Sequence, residues 1–101
     1  MIFAFRFPAR QMFVMRDCPV PIDIAFLDSA GRVLTTYEMQ PEEPRKPGET
    51  DYEYDQRLRK YDSRYPSQFV VETAGGRLRE VGLKPGDLVK FDVQGLKARA
   101  K

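Results

Sequence analysis

Residues 12–28, Met-Phe-Val-Met-Arg-Asp-Cys-Pro-Val-Pro-Ile-Asp-Ile-Ala-Phe-Leu-Asp, constrain the fold more than any other part of this chain. Pro19 and Pro21 fix φ at alternate positions and push Cys18 and Val20 toward extended geometry, so residues 15–22 form a stiff connector. The strand that follows, residues 22–28, points Ile22, Ile24 and Phe26 one way and Asp23, Ala25 and Leu27 the other. Both faces are largely apolar, which places it in the middle of a sheet. The same run carries Arg16, Asp17, Cys18 and Asp23, and an unpaired charge in such surroundings is costly. These polar residues are therefore the first candidates for a site.

Around that strand the chain reads as mostly β. Residues 1–7 form an aromatic strand ended by Pro8, and residues 12–15 resume an extended pattern. Asp28-Ser-Ala-Gly31 is a turn signal, its glycine suited to a left-handed position, and residues 32–39 make the return strand of a hairpin. Simple alternation there groups Val33, Thr35, Tyr37 and Met39 on one face and Leu34, Thr36 and Glu38 on the other. Pro41, Pro44, Pro47 and Gly48 mark a loop.

Thr50-Asp-Tyr-Glu53 then fits a capping box, with acids in the first turn and bases toward the end, so the pattern predicts a helix over about 51–63. Tyr54, Leu58, Tyr61 and Tyr65 recur at helical spacing. That tyrosine-rich stripe is expected to lie over the rim of the sheet with its hydroxyls in water. Pro66 ends the helix and residues 68–73 read as a strand broken at Gly75-Gly76. A short helical turn over about 77–81 closes at Gly82, and Leu83-Lys-Pro-Gly-Asp87 leads into a final strand over 88–93.

Histidine is absent, which removes the usual general base, the usual zinc ligand and the histidine-dependent nucleophile arrangements. Any catalysis would rest on carboxylates, Tyr, Lys, Arg or Cys18. A lone cysteine makes no internal disulfide, and with no histidine to activate it Cys18 fits a packed thiol better than a nucleophile. Net charge is only +2, its surplus lying at the C-terminal end, too weak a footprint for nucleic acid. There is no membrane-spanning run and no signal peptide, so the chain reads as soluble with its localisation open. It begins inside a strand, which is the mark of a truncated chain or a late start.

The pieces Met1-Ile-Phe-Ala-Phe5, Phe13-Val-Met-Arg-Asp-Cys18, Val20-Pro-Ile-Asp-Ile-Ala-Phe-Leu-Asp28 with Gly31, Phe69-Val-Val-Glu72 and Gly82-Leu-Lys-Pro-Gly-Asp-Leu-Val89 together resemble family 192 of the domains of unknown function. This bacterial and archaeal family has no established activity, and the resemblance implies a fold more than a function. Val14 replaces the family's Trp, and Arg16-Asp17-Cys18 replaces its Lys-Asn-Thr, so an acceptor-only carboxylate stands where an amide also donates. The family pattern also includes an upstream strand and helix, and its members often occur in exported proteins.

The expected fold is α+β, mainly antiparallel, a partly closed barrel-like sheet with one exposed helix. The expected organisation is a single domain over 1–96 and a basic frayed tail over 97–101. The leading functional expectation is a non-enzymatic ligand-binding or accessory module with a polar site of Arg16, Asp17, Asp23 and Glu72, binding a small ligand or a protein. For Asp23 a structural role, accepting backbone N–H groups beside the connector, competes with ligand binding. The alternatives are a carboxylate-based hydrolase using Mg²⁺, Mn²⁺ or Ca²⁺, and self-association through an open sheet edge. No resident metal, cofactor or catalytic residue is assigned.

Overall fold

The alternation of residues 22–27 produces a strand whose last four residues, Ile24, Ala25, Phe26 and Leu27, are wholly buried. In the computed structural model, which describes residues 1–89, this strand lies inside the main sheet. In chain order the elements are β1 (Ile2–Ala9), β2 (Met12–Phe13), β3 (Ile22–Leu27), β4 (Val33–Met39), α1 (Asp51–Arg57), β5 (Tyr61–Asp62), β6 (Ser67–Ala74) and α2 (Arg77–Val81). Four strands form an antiparallel sheet in the order β1-β6-β3-β4, and β2 pairs with β5 in a separate ribbon. Among the described residues the main sheet is not closed on itself, in keeping with the expected α+β fold and its partly closed, barrel-like sheet.

Each face of β3 carries its own core. Ile24 and Phe26 pack with Met15, Met39, Tyr61 and Val70, with Phe3, Phe13 and Tyr37 against them. On the opposite face Ala25 and Leu27 pack with Val33, Phe69 and Leu78. Val33 departs from simple alternation. Phe26 faces Thr35 but Leu27 faces Val33, so the register skips Leu34 and turns Val33 to the second face.

At the other edge of the sheet, β1 runs through Pro8 instead of stopping before it. Its register with β6 breaks between Ala4 and Ala9, and the Gln68 side-chain amide donates to the carbonyls of Phe5 and Arg6 there. An edge strand tolerates a proline because its outward side needs no ladder donor, and such interruptions also discourage further strand pairing.

The turn behaves as its residues dictate. Gly31 adopts φ 89°, and the Asp28 carboxylate accepts the backbone N–H groups of Ala30 and Arg32. The capping box forms in full: the Glu53 N–H donates to Thr50 Oγ1 at 3.1 Å, and the Thr50 N–H donates to Glu53 Oε1 at 2.9 Å.

The helix itself is shorter than its periodicity predicts. It stops at Arg57, and Leu58 is already extended. The chain leaves the helix because residues 61–63 find partners across the molecule. Phe13 pairs with Tyr61, the Ser63 N–H donates to the Gln11 carbonyl, and the Gln11 N–H donates to Ser63 Oγ. Tyr54, Leu58 and Tyr61 are consequently buried instead of lying at a wet rim, while Tyr65 is exposed.

The helical turn at residues 77–81 forms α2 as predicted and closes on Gly82, whose N–H donates to the Arg79 carbonyl. Of the expected final strand, Leu88 bridges Arg32 and the Val89 N–H donates to Gly31; its remainder and the basic tail lie outside the described residues.

One close approach is spatially demanding. A Cβ on Gly75 would meet the Pro21 Cβ at 2.6 Å and the Pro21 carbonyl oxygen at 3.1 Å. Gly75→Ala is therefore expected to cost about 1–3 kcal/mol by forcing the β6 end away from the connector. Urea unfolding checks this, and an unchanged midpoint would show that the proline connector yields freely.

Candidate functional site

Arg16 and Asp17 follow β2 and are tied to α1 through Tyr54. The Asp17 N–H donates to the Tyr54 hydroxyl at 3.1 Å, and that hydroxyl donates to Asp17 Oδ1 at 3.2 Å. Asp17 adopts φ 51°, a left-handed conformation that an aspartate tolerates better than most residues. The Arg16 guanidinium lies 5.1 Å from the Tyr54 ring centroid and pairs with Asp55. Arg57 approaches the same ring at 4.8 Å. Cys18, half-buried, directs its thiol to the Val20 carbonyl at 3.4 Å, beside a hollow of about 240 Å³.

Arg57 also grips Glu49, with Nε to Oε2 at 2.7 Å and Nη2 to Oε1 at 2.9 Å. Those bonds, joined by the Lys46 N–H, pull the Glu49 carboxyl down from 4.5 to about 2. Asp62 is likewise drawn from 3.8 to about 2, by Arg10 and then by the Arg64 N–H. Both folded values lie below the unfolded ones. The stability they contribute is therefore present above the ordinary carboxylate range and is lost as pH falls toward about 2. Urea midpoints across that window should fall in the wild type and fall less in a Glu49→Gln, Asp62→Asn double variant; parallel curves would refute the assignment.

Asp23 occupies the second face. Its position on β3 sets it between Glu38 of β4 and Thr73 of β6. It is 3% exposed, and its Oδ2 accepts the Leu78 N–H of α2 at 3.0 Å. Among the described residues its Oδ1 is buried with no partner. Asp23 lines a hollow of about 310 Å³ together with Thr36, Glu38, Leu78, Arg79 and Leu83. Within it Arg79 Nη2 donates to Glu38 Oε2 at 2.9 Å.

Glu72 faces Ile24 in the β3·β6 ladder, and strand alternation therefore sets it on the face opposite Asp23. Burial pushes its carboxyl up, with the N-terminal amine acting in the other direction. It borders a different hollow, of about 540 Å³, with Val20, Pro21 and Ile22.

The four sequence-predicted residues thus fall into three places. Arg16 and Asp17 meet at Tyr54, while Asp23 and Glu72 are divided by the sheet. Glu38 and Arg79, which share the Asp23 hollow, were not among the expected site residues. Glu38 had a signal, since alternation already set it on the other face of the hairpin from Tyr37; Arg79 had none before α2 was docked. Among the described residues no three His, Cys, Asp or Glu side chains stand together as a metal site needs. No helix among them is long and apolar enough to cross a membrane.

The DUF192 family model, described as an uncharacterized ACR, matches residues 1–91. Two crystal structures are similar. One, from Sinorhizobium meliloti 1021 and provisionally named a transcription regulator, is 27% identical with a TM-score of 0.67, covering 89% of this chain and 60% of that one. The other, a protein of unknown function from Novosphingobium aromaticivorans DSM 12444, is 27% identical with a TM-score of 0.70, covering 90% and 56%. This chain spans less than two thirds of either. No curated protein matches it.

Proposed function

This chain belongs to the DUF192 family, and we propose that it is a non-enzymatic binding module whose recognition site is the hollow over Asp23. The observation that carries this reading is the divided carboxylate. One oxygen is committed to the Leu78 N–H and the other is buried without a partner among the described residues.

A buried acceptor left unmade costs about 1–3 kcal/mol, a cost that a bound donor removes. The committed oxygen meanwhile holds the carboxylate against α2, so the free one keeps a fixed place, covered by its neighbours, and an occupant of the hollow meets it by moving those neighbours aside. The hollow is at the small end of ligand sites, with Leu78 and Leu83 supplying apolar wall and Thr36, Glu38 and Arg79 supplying polar groups. A nucleic-acid role is not part of the proposal, because the hollow carries two carboxylates against one guanidinium and the chain's net charge is only +2. The metal-dependent hydrolase has no observation in its favour.

Mapping a library of small fragments onto the amide spectrum of the ¹⁵N-labelled protein tests the reading. Shifts should concentrate at Asp23, Glu38, Leu78 and Arg79. Shifts confined to the Cys18 or Glu72 hollow, or no saturable shift at all, would overturn it.

A further inference from the structure

We infer that the group recognised in this hollow is a monocation bearing N–H donors, an alkylammonium or an alkylguanidinium. This deepens the binding-module reading and rests on it. An ionised carboxylate oxygen only accepts, so whatever meets Asp23 Oδ1 must donate. Charge then chooses among donors. Of the residues lining the hollow, Asp23 and Glu38 carry carboxylates, Arg79 carries a guanidinium, and Tyr37 directs its hydroxyl elsewhere, to the Asp62 carbonyl.

Arg79 is already used. Its guanidinium bonds Glu38 Oε2, and its side chain is 82% exposed, reaching out over the rim. Glu38 has a cationic partner and, among the described residues, Asp23 has none, so a cationic occupant supplies what this carboxyl lacks. A cationic donor adds to the hydrogen bond a Coulombic attraction that a hydroxyl lacks, and in a partly buried setting that attraction is less screened than in water, so an ammonium or guanidinium is favoured over a hydroxyl.

A hard divalent ion is the wrong complement, since it seeks six or more oxygen ligands and the described residues bring no third carboxylate. The apolar side chains of Leu78 and Leu83 beside the carboxylate suit the methylene stem that carries such a head group. The Arg79–Glu38 pair is the hollow's own example of this chemistry.

The experiment titrates the full ¹⁵N-labelled chain with n-butylammonium and n-butylguanidinium and follows the Leu78 amide, whose hydrogen bond ends on the carboxylate being occupied. n-Butanol supplies the same stem with a neutral donor, and tetramethylammonium supplies charge with no donor. A saturable Leu78 shift with either butyl cation, and none with the two controls, is the expected result. Asp23→Asn keeps an oxygen for the Leu78 N–H but replaces the free acceptor with a donor, and should weaken the response about tenfold or more.

Glu38→Gln, on the edge strand, frees Arg79 to compete for Asp23 and should weaken it less. It also keeps the test decisive should Asp23→Asn fail to fold. A Lys-containing capped tripeptide distinguishes the source: tighter binding of it than of butylammonium points to a protein side chain, and the reverse to a free amine.

Equal shifts from n-butanol, undiminished binding by both variants, or silence from both cations would overturn the inference. Fragments that occupy the hollow while both cations stay silent remove this inference alone; a hollow silent to every probe removes the binding module as well.

Discussion

Phe26→Ala is expected to lower the unfolding free energy by roughly 3–5 kcal/mol, the usual cost of removing a large side chain from a core that cannot collapse around the hole. Phe26 has no exposed surface and lies on β3, hydrogen-bonded to a strand on each side. Its ring meets Phe13 edge-on at 5.8 Å and Tyr37 edge-on at 6.2 Å. The Phe13 contact joins the main sheet to the small ribbon, and Tyr37, on β4 of the same sheet as Phe26, continues the chain of rings to Tyr61 of β5. Truncation therefore opens a cavity and also unfastens the ribbon from the sheet.

Against a total stability of about 5–15 kcal/mol for a domain of ordinary size, the variant sits near the edge of folding. Urea unfolding with Phe26→Leu as the companion, which removes the ring but keeps most of the volume and is expected to cost less than Phe26→Ala, checks the origin of the effect. A loss for Phe26→Ala no larger than that for Phe26→Leu would show that the cavity adds nothing, since both variants remove the ring contacts and only Phe26→Ala empties the space.

Tyr54→Ala carries the second large effect, again roughly 3–5 kcal/mol, but for a different combination of reasons. The ring is 1% exposed and has both Arg16 and Arg57 over it. Its hydroxyl accepts from the Asp17 N–H and donates to the Asp17 carboxylate, so one side chain anchors α1 to the segment after β2. Tyr54→Phe separates the two contributions. It keeps the ring and both cation contacts and removes the hydroxyl that accepts the N–H of the exposed Asp17, at a cost of about 0.5–1.5 kcal/mol.

Amide exchange at Asp17 should accelerate in Tyr54→Phe with the helix intact, whereas Tyr54→Ala should accelerate it across residues 51–57 as well. If Tyr54→Phe costs as much as Tyr54→Ala, the ring contributes nothing beyond carrying the hydroxyl. If Asp17 exchange is unchanged in Tyr54→Phe, the hydroxyl is not the anchor.

These residues also show where local information ends. Tyr54 was legible as a member of an apolar stripe, and Thr50 and Glu53 were legible as a cap, because both depend on residues within one helical turn. Tyr61 was misplaced by the same periodicity. Its spacing suits a helix, but pairing with Phe13 and burial against Tyr37 outweigh the modest stabilisation that an isolated turn can offer. Val33 was misplaced by strand alternation, since a single skipped residue reverses every side chain beyond it. Asp23 was visible as a polar residue in apolar company, yet Leu78, which occupies one of its oxygens, lies 55 positions away. Glu72 was grouped with Asp23 because sequence shows that both belong to strands and does not show which faces they share.

Local chemistry, written in the order of residues, therefore determined the two-faced strand at 22–27, the hairpin at Gly31, the cap at Thr50, the short helix closed by Gly82 and the family resemblance. Only the tertiary structure decided that β6 lies between β1 and β3, that α1 stops at Arg57, that Glu72 and Asp23 are separated by the sheet, and that Glu38 and Arg79 join Asp23. The division follows the range of the forces. Turns, caps and alternation act over a few residues, whereas strand register and the face a carboxylate presents are settled by burial between segments far apart in the chain.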